Sequence, residues 1–178
     1  AFDGLSESTP KRTIAAGYAL LRDGYPDWLL LKSGDVWVGE SLHWNKSGRS
    51  EAEKMVIGSY GSGPRPQIRT PGSGFVGIAS VPRGHLAITD LHLMPQSYDG
   101  TGPYPPYGIF LLDLWSDVLV ENCKIERYFV NFCAHKSAHG RPSRLSIRRC
   151  VIADAFRVGP EHAQGIFLGD IDGLLLEE

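Results

Sequence analysis

The densest group of side chains able to hold or move a proton is His135-Lys136-Ser137-Ala138-His139-Gly140-Arg141. Lys136, His139 and Arg141 are its candidate catalytic cations, and His162, from a later loop, is a fourth. Elimination beside a uronic carboxylate needs a cation to neutralise that carboxylate, a base for the acidic C–H and a proton donor. Lys, His and Arg fill those roles when burial or neighbours tune their pKa values. Asp113 and Asp170 offer another chemistry, because hydrolysis of a glycosidic bond uses two carboxyl groups about 5 to 9.5 Å apart. The competing reading of the same residues is a ladder of solvated surface ion pairs. Asp170 and Asp172 alternate on a turn and would offer calcium two carboxylates, far fewer oxygens than a full calcium loop supplies. No other metal and no cofactor is implied.

A second group is aromatic. The loop from Pro95 to Tyr107 carries Tyr98, Tyr104 and Tyr107, and Phe110 and Phe167 occur in two near-identical segments further along. Rings with a polar tip make platforms for the apolar face of a sugar; alternatively, Pro and Tyr pack the loop onto the body beneath it.

The elements that position these residues repeat. Gly108-Ile-Phe-Leu-Leu-Asp113 returns 57 residues later as Gly165-Ile-Phe-Leu-Gly-Asp170, and self-similarity of this kind marks a solenoid. Alternating segments Leu86-Ala-Ile88, Val118-Leu-Val120, Leu145-Ser-Ile147 and Leu174-Leu-Leu176 recur at intervals of 32, 27 and 29 residues, which are coil lengths. After a two-residue bend a second short strand follows, as in Leu91-His-Leu93, Cys123-Lys-Ile125 and Cys150-Val-Ile152, and alternation turns residues i and i+2 inward. A third strand, Ile109-Phe-Leu111, Val130-Asn-Phe132 or Ile166-Phe-Leu168, closes each turn. This aligns Phe110, Asn131 and Phe167 as outward residues. Three short strands per coil, stacked in register, describe an all-β right-handed parallel β-helix of about four to five coils. Asp90, Asn122 and Arg149 fall at the bend, where an amide tolerates left-handed backbone and can bond along the stack. Residues 1–26 read as an N-terminal cap, with a short amphipathic helix from Thr13 to Arg22 stopped by Gly24 and Pro26. Residues 27–178 read as coils, making one domain.

A net charge of -2 and a pI near 6.3 supply no basic field for a phosphate backbone, which excludes nucleic acid as a default partner. No apolar run approaches the roughly 20 residues that span a bilayer, so no membrane partner is expected. No leader opens the sequence, and the chain reads as mature or trimmed. Three cysteines, Cys123, Cys133 and Cys150, lack metal-ligand spacing and read as buried thiols. Gly72-Ser-Gly-Phe-Val-Gly77 matches a dinucleotide fingerprint by accident, since Pro82 and Gly84 preclude the helix it requires.

Several segments together resemble bacterial right-handed parallel β-helix proteins of the pectate-lyase-like superfamily. They are Asp3-Gly-Leu-Ser6 with Thr13-Ile14, Leu20-Leu-Arg-Asp-Gly-Tyr-Pro-Asp-Trp-Leu-Leu-Leu-Lys-Ser-Gly-Asp35, Ser59-Tyr-Gly-Ser-Gly-Pro-Arg-Pro66 and His162-Ala-Gln-Gly-Ile166. The resemblance implies an extracellular or periplasmic protein acting on polysaccharide or oligosaccharide as a lyase or hydrolase, with a lyase favoured by the basic loop. A noncatalytic glycan-binding or structural β-helix is the alternative. In such proteins the substrate groove follows the outer surface of the third strand, which makes Tyr98, Tyr104, Tyr107, Phe110, Asn131, Gln164 and Phe167 the expected substrate-binding residues. Relatives have more coils, so the chain reads as an N-terminal portion cut in mid-repeat after Leu174-Leu-Leu176. An open apolar end there would favour a homodimer.

Overall fold

Apolar residues at every second position give strands that bury one face, and stacking such strands in register lets a solenoid cover that face. The computed structural model, which describes residues 2–102 and 106–178, shows about five turns of such a stack. Every strand pair is parallel. The first turn holds β1 (Trp28–Lys32), β2 (Val36–Val38) and β3 (Leu42–His43). The next opens with β4 (Met55–Tyr60) and β5 (Gln67–Thr70). In β6 (Phe75–Thr89) and β8 (Tyr107–Glu121) the third strand of one turn runs through a corner into the first strand of the following turn, giving 15 residues each. The remaining strands are β7 (His92–Pro95), β9 (Lys124–Glu126), β10 (Val130–His135), β11 (Ser143–Arg148), β12 (Val151–Ala153), β13 (Gln164–Gly169) and β14 (Asp172–Glu177). First and third strands form a bent nine-stranded sheet, and second strands form a five-stranded sheet in the order β12-β9-β7-β5-β2.

The core is a set of columns. Phe75, Ile109 and Phe132 stack in register and are fully buried, as are Leu86, Val118 and Leu145 in the next column. Each such side chain contributes about 1.5–3 kcal/mol by leaving water. On the last turn the same columns surface: Ile166 is 38% and Leu174 42% exposed.

Corners are made by left-handed residues, and these also stack. Asp90, Asn122 and Arg149 have φ of 58°, 50° and 48°, as their place at the bend predicts. Asn122 Nδ2 donates to Asp90 Oδ1 at 2.6 Å, and the Arg65 Nε–H donates to the Asn122 carbonyl at 2.6 Å. His85, Asp117 and Arg144 form a second left-handed column.

The cap differs from expectation in length. Helix α1 covers only Ile14–Tyr18, with Thr13 Oγ1 accepting from the Ala16 N–H at 3.2 Å. Beyond it the chain tightens, and Lys46 Nζ donates to the carbonyls of Tyr18 and Leu21 at 2.9 and 2.7 Å. A side chain from the first coil thus satisfies carbonyls that another helical turn would have used. Ile14 and Leu21 are buried over the first coil.

The third-strand alignment needs one correction. Register pairs Phe132, Cys133 and Ala134 with Ile109, Phe110 and Leu111, and with Ile166, Phe167 and Leu168. Cys133, not Asn131, is therefore the outward partner of Phe110 and Phe167. Asn131 is fully buried: its Oδ1 accepts from the Tyr128 N–H at 3.1 Å and its Nδ2 donates to the Ala153 carbonyl at 2.7 Å. The alternation that suggested an outward residue fails because the amide is needed to satisfy backbone at a corner.

Candidate functional site

The outer surface of the third strands bears two features, a charged corner and an aromatic stripe. At the corner, β10 ends at His135 and a loop carries Lys136, Ser137, His139 and Arg141 to β11. Asp113 anchors this loop from the turn below. It is 1% exposed, has φ of 69°, and accepts from Ser137 Oγ and, at 3.4 Å, from the His139 N–H. Burial alone would raise its pKa, but these donors prevail and hold the carboxyl below the usual range. Asp170, two turns on as the repeat requires, takes both long cations: Lys136 Nζ lies 2.5 Å from its Oδ2 and Arg141 Nη1 3.0 Å from its Oδ1. The two cations hold Asp170 below its ordinary pKa. The carboxylate considered for calcium is thus already neutralised by protein.

His162 stands elsewhere. It precedes β13, whereas Asp170 follows it, and six residue steps of extended strand carry the chain from Gln164 to Asp170, about 20 Å. Lys136, His139 and Arg141 therefore share one corner while His162 lies at the opposite end of the same strand, and the four do not converge.

The aromatic stripe crosses the strands between these ends. Tyr107 stacks on Phe110 with centroids 4.9 Å apart and meets Phe129 edge-on at 6.3 Å. Phe110 lies 5.6 Å from the His135 ring, and His135 lies 5.9 Å from Phe167. Phe167 is 40% exposed, and Tyr107, Phe110 and His135 are half-buried. Cys133, a small side chain between two phenyl rings in the outward column, is shaded to 1% exposure, and burial pushes its thiol up to about 12. Burial, and secondarily Cys133, also raises the Tyr107 phenol. Phe129 and His135 belong to this stripe although their spacing does not reveal it, because only the true register of β10 brings Phe129 to Tyr107 and His135 to Phe110.

Two solved structures share this architecture. They are the native and selenomethionine forms of the GH136 lacto-N-biosidase from Eubacterium ramulus, with TM-scores of 0.61 and 0.62 at 20% and 19% identity. Each match covers 82% of this chain but 31% of the other, so the chain spans about a third of their length. The likeness is one of fold. No family model and no curated protein sequence matches the chain.

The other expected binding residues divide. Gln164 is exposed at the start of β13, near the Tyr107 end of the stripe, and its backbone N–H donates to the Phe129 carbonyl at 3.0 Å. Tyr98 packs on Phe156 at 5.0 Å and its loop is tied down by the Val158 N–H donating to Gly100 O at 2.7 Å, the arrangement expected if the loop packs onto the body. Tyr104 lies outside the described residues.

Two further titratable clusters were not legible from spacing. On the five-stranded sheet, Gln67 Nε2 meets His92 Nδ1 at 3.1 Å, His92 Nε2 meets Glu126 at 2.7 Å, and Lys124 joins Glu126 at 2.9 Å. In the second corner column Asp117 pairs with Lys54 and with His85, the latter at 2.7 Å. Both clusters satisfy themselves, so they read as structural polar ladders.

Proposed function

We propose that this β-helix binds glycan along the outer face of its third strands and forms the first coils of an extracytoplasmic carbohydrate-active protein of the pectate-lyase-like kind. The observation that carries this reading is the row Phe129, Tyr107, Phe110, His135 and Phe167, whose rings follow one another at 4.9–6.3 Å across three successive turns. Such a row offers stacking surface to successive sugar units. The charge balance of the neighbouring corner favours a neutral glycan. A lyase needs a free cation for the uronic carboxylate, and Lys136 and Arg141 are both committed to Asp170. Hydrolysis by the intact protein is accordingly the favoured reaction, in keeping with the glycosidase that shares the fold. These coils supply binding surface to it, since Lys136 and Arg141 are paired with Asp170 and His162 lies at the other end of the strand.

Titration calorimetry with lacto-N-tetraose, cellotetraose, xylotetraose and polygalacturonate tests the reading. A neutral oligosaccharide is expected to bind, and Phe110→Ala or Phe167→Ala to weaken it by about 0.5–1.5 kcal/mol each, the worth of one stacking partner. Exclusive binding of polygalacturonate would overturn the choice of a neutral ligand. Heatless titrations with all four, backed by unchanged NMR spectra, would dispose of the binding face.

A further inference from the structure

The aromatic stripe contains one side chain that is not a hydrocarbon platform. His135 sits between Phe110 and Phe167, 5.6 and 5.9 Å from their centroids. Its Nδ1 lies 2.7 Å from the carbonyl oxygen of its neighbour Lys136. A carbonyl oxygen can only accept, so Nδ1 carries the proton, and the neutral ring then presents a lone pair at Nε2. Nε2 takes part in none of the hydrogen bonds among the described residues. An acceptor of fixed orientation therefore stands in the middle of a row of rings.

The last turn leaves this acceptor uncovered on its side of the stack. In the outward column that runs Ile78, Leu112, His135 and Gly169, the residue paired with His135 on the last turn has no side chain. A Cβ at Gly169 would lie 3.0 Å from His135 Cβ. Any larger residue there would crowd the imidazole. Phe110 and Phe167 thus flank an imidazole that Gly169 leaves uncovered on one side. The charged neighbours at the corner are engaged: Lys136 and Arg141 hold Asp170, and Asp113 holds the loop through Ser137 and the His139 N–H.

We propose that His135 is the polar anchor of the glycan face, accepting through Nε2 a hydrogen bond from a hydroxyl of the sugar held between Phe110 and Phe167. Ring faces hold a sugar by its C–H surface without fixing its orientation, and one placed polar group supplies what they lack. The lone pair attracts a hydroxyl and repels a carboxylate, so the anchor selects a neutral sugar at this position. This inference rests on the reading of the face as glycan-binding.

Three variants, with lacto-N-tetraose and cellotetraose as probes, separate the two claims. His135→Phe keeps the stack and removes the acceptor; His135→Gln keeps an acceptor and removes the ring; Phe110→Ala tests the platform alone. Melting curves establish that each variant is folded. His135→Phe is expected to lose about tenfold in affinity, the measure of one hydrogen bond withdrawn. His135→Gln should retain more of the affinity than His135→Phe. In the wild type the Nε2 resonance of 15N-labelled His135 should move on addition of the bound probe, which a packing role would not produce. If Phe110→Ala weakens binding while His135→Phe binds as the wild type does and Nε2 stays in place, the anchor is refuted and the glycan face stands. If the wild type binds neither probe, face and anchor fall together.

Discussion

Asp113 performs two tasks at one position, and substitutions can take them apart. Its backbone is left-handed at φ 69°, and its buried carboxylate holds the loop that carries Lys136, His139 and Arg141 through Ser137 Oγ and the His139 N–H. Left-handed backbone costs an ordinary residue about 1–2 kcal/mol, from which glycine is exempt and asparagine largely so. A hydrogen bond to a charged acceptor contributes about 1.5–3 kcal/mol, and the 3.4 Å contact adds little. Asp113→Ala removes both benefits and should cost about 3–5 kcal/mol. Asp113→Gly loses only the acceptor, about 2–3 kcal/mol. Asp113→Asn keeps the conformation and one neutral acceptor, about 1–2 kcal/mol. At about 2–4 °C per kcal/mol for a chain of this size, alanine should lower Tm by about 10 °C and asparagine by a few degrees. Thermal and urea unfolding by circular dichroism give the ranking. A glycine variant less stable than the alanine variant would refute the backbone argument, and an asparagine variant equal to alanine would refute the acceptor argument.

Other expectations follow from the polar ladders, the packing and the exposed leucines of β14. Burial outweighs Glu126 and depresses the pKa of His92, so below about pH 6.5 the unfolded chain binds a proton that the folded chain refuses. Stability should therefore rise with pH between the depressed value and about 6.5, and be lost on acidification through that window. Urea midpoints at pH 7.5 and 5.5 would show it, and His92→Gln should flatten the difference; an unchanged slope in that variant would assign the effect elsewhere. Gly77→Ala places a Cβ 2.7 Å from Trp115 Cζ2 and should cost about 1–3 kcal/mol by overpacking, read as a lower Tm with altered tryptophan emission; wild-type stability would show that the ring can move. Leu174, Leu175 and Leu176 are 42–52% exposed on the last turn, and we propose that they associate two copies. Light scattering at increasing concentration should show a dimer that Leu174→Lys with Leu176→Lys abolishes, and a monomer at every concentration would rule this out.

The fold was legible because its signal is redundant. The column Leu86, Val118, Leu145 repeats at coil length, and each copy corroborates the others. The bend residues Asp90, Asn122 and Arg149 were recognisable for the same reason. Register within the third strand was not, because Val130-Asn-Phe132 and Phe132-Cys-Ala134 both alternate acceptably. What decides between them is a buried amide bonded to the Tyr128 N–H and the Ala153 carbonyl, a requirement of backbone satisfaction that hydropathy does not register. That two-residue slip kept Cys133 and His135 out of the outward row beside Phe110 and Phe167 and put Asn131 in it. The charged corner was readable as composition, but its pairing was not. Lys136 and Arg141 stand in solvent, and it is the stacking of the turns that brings Asp170 within reach of both.

The corners have a consequence for how such a protein can change. Three successive intervals of 32, 27 and 29 residues produce turns whose columns return to register, so the differences in length are absorbed in the connections between strands and at corners such as the register shift between Ala79 and Arg83 within β6. The segment of residues 136–142, between β10 and β11, is one such excursion and residues 154–163, between β12 and β13, are another. Each hangs from fixed posts and no column depends on its length. Exchanging these segments should rewrite the rim of the binding face while the stack beneath is left as it was, so new ligand preferences can be tried without refolding the scaffold that displays them.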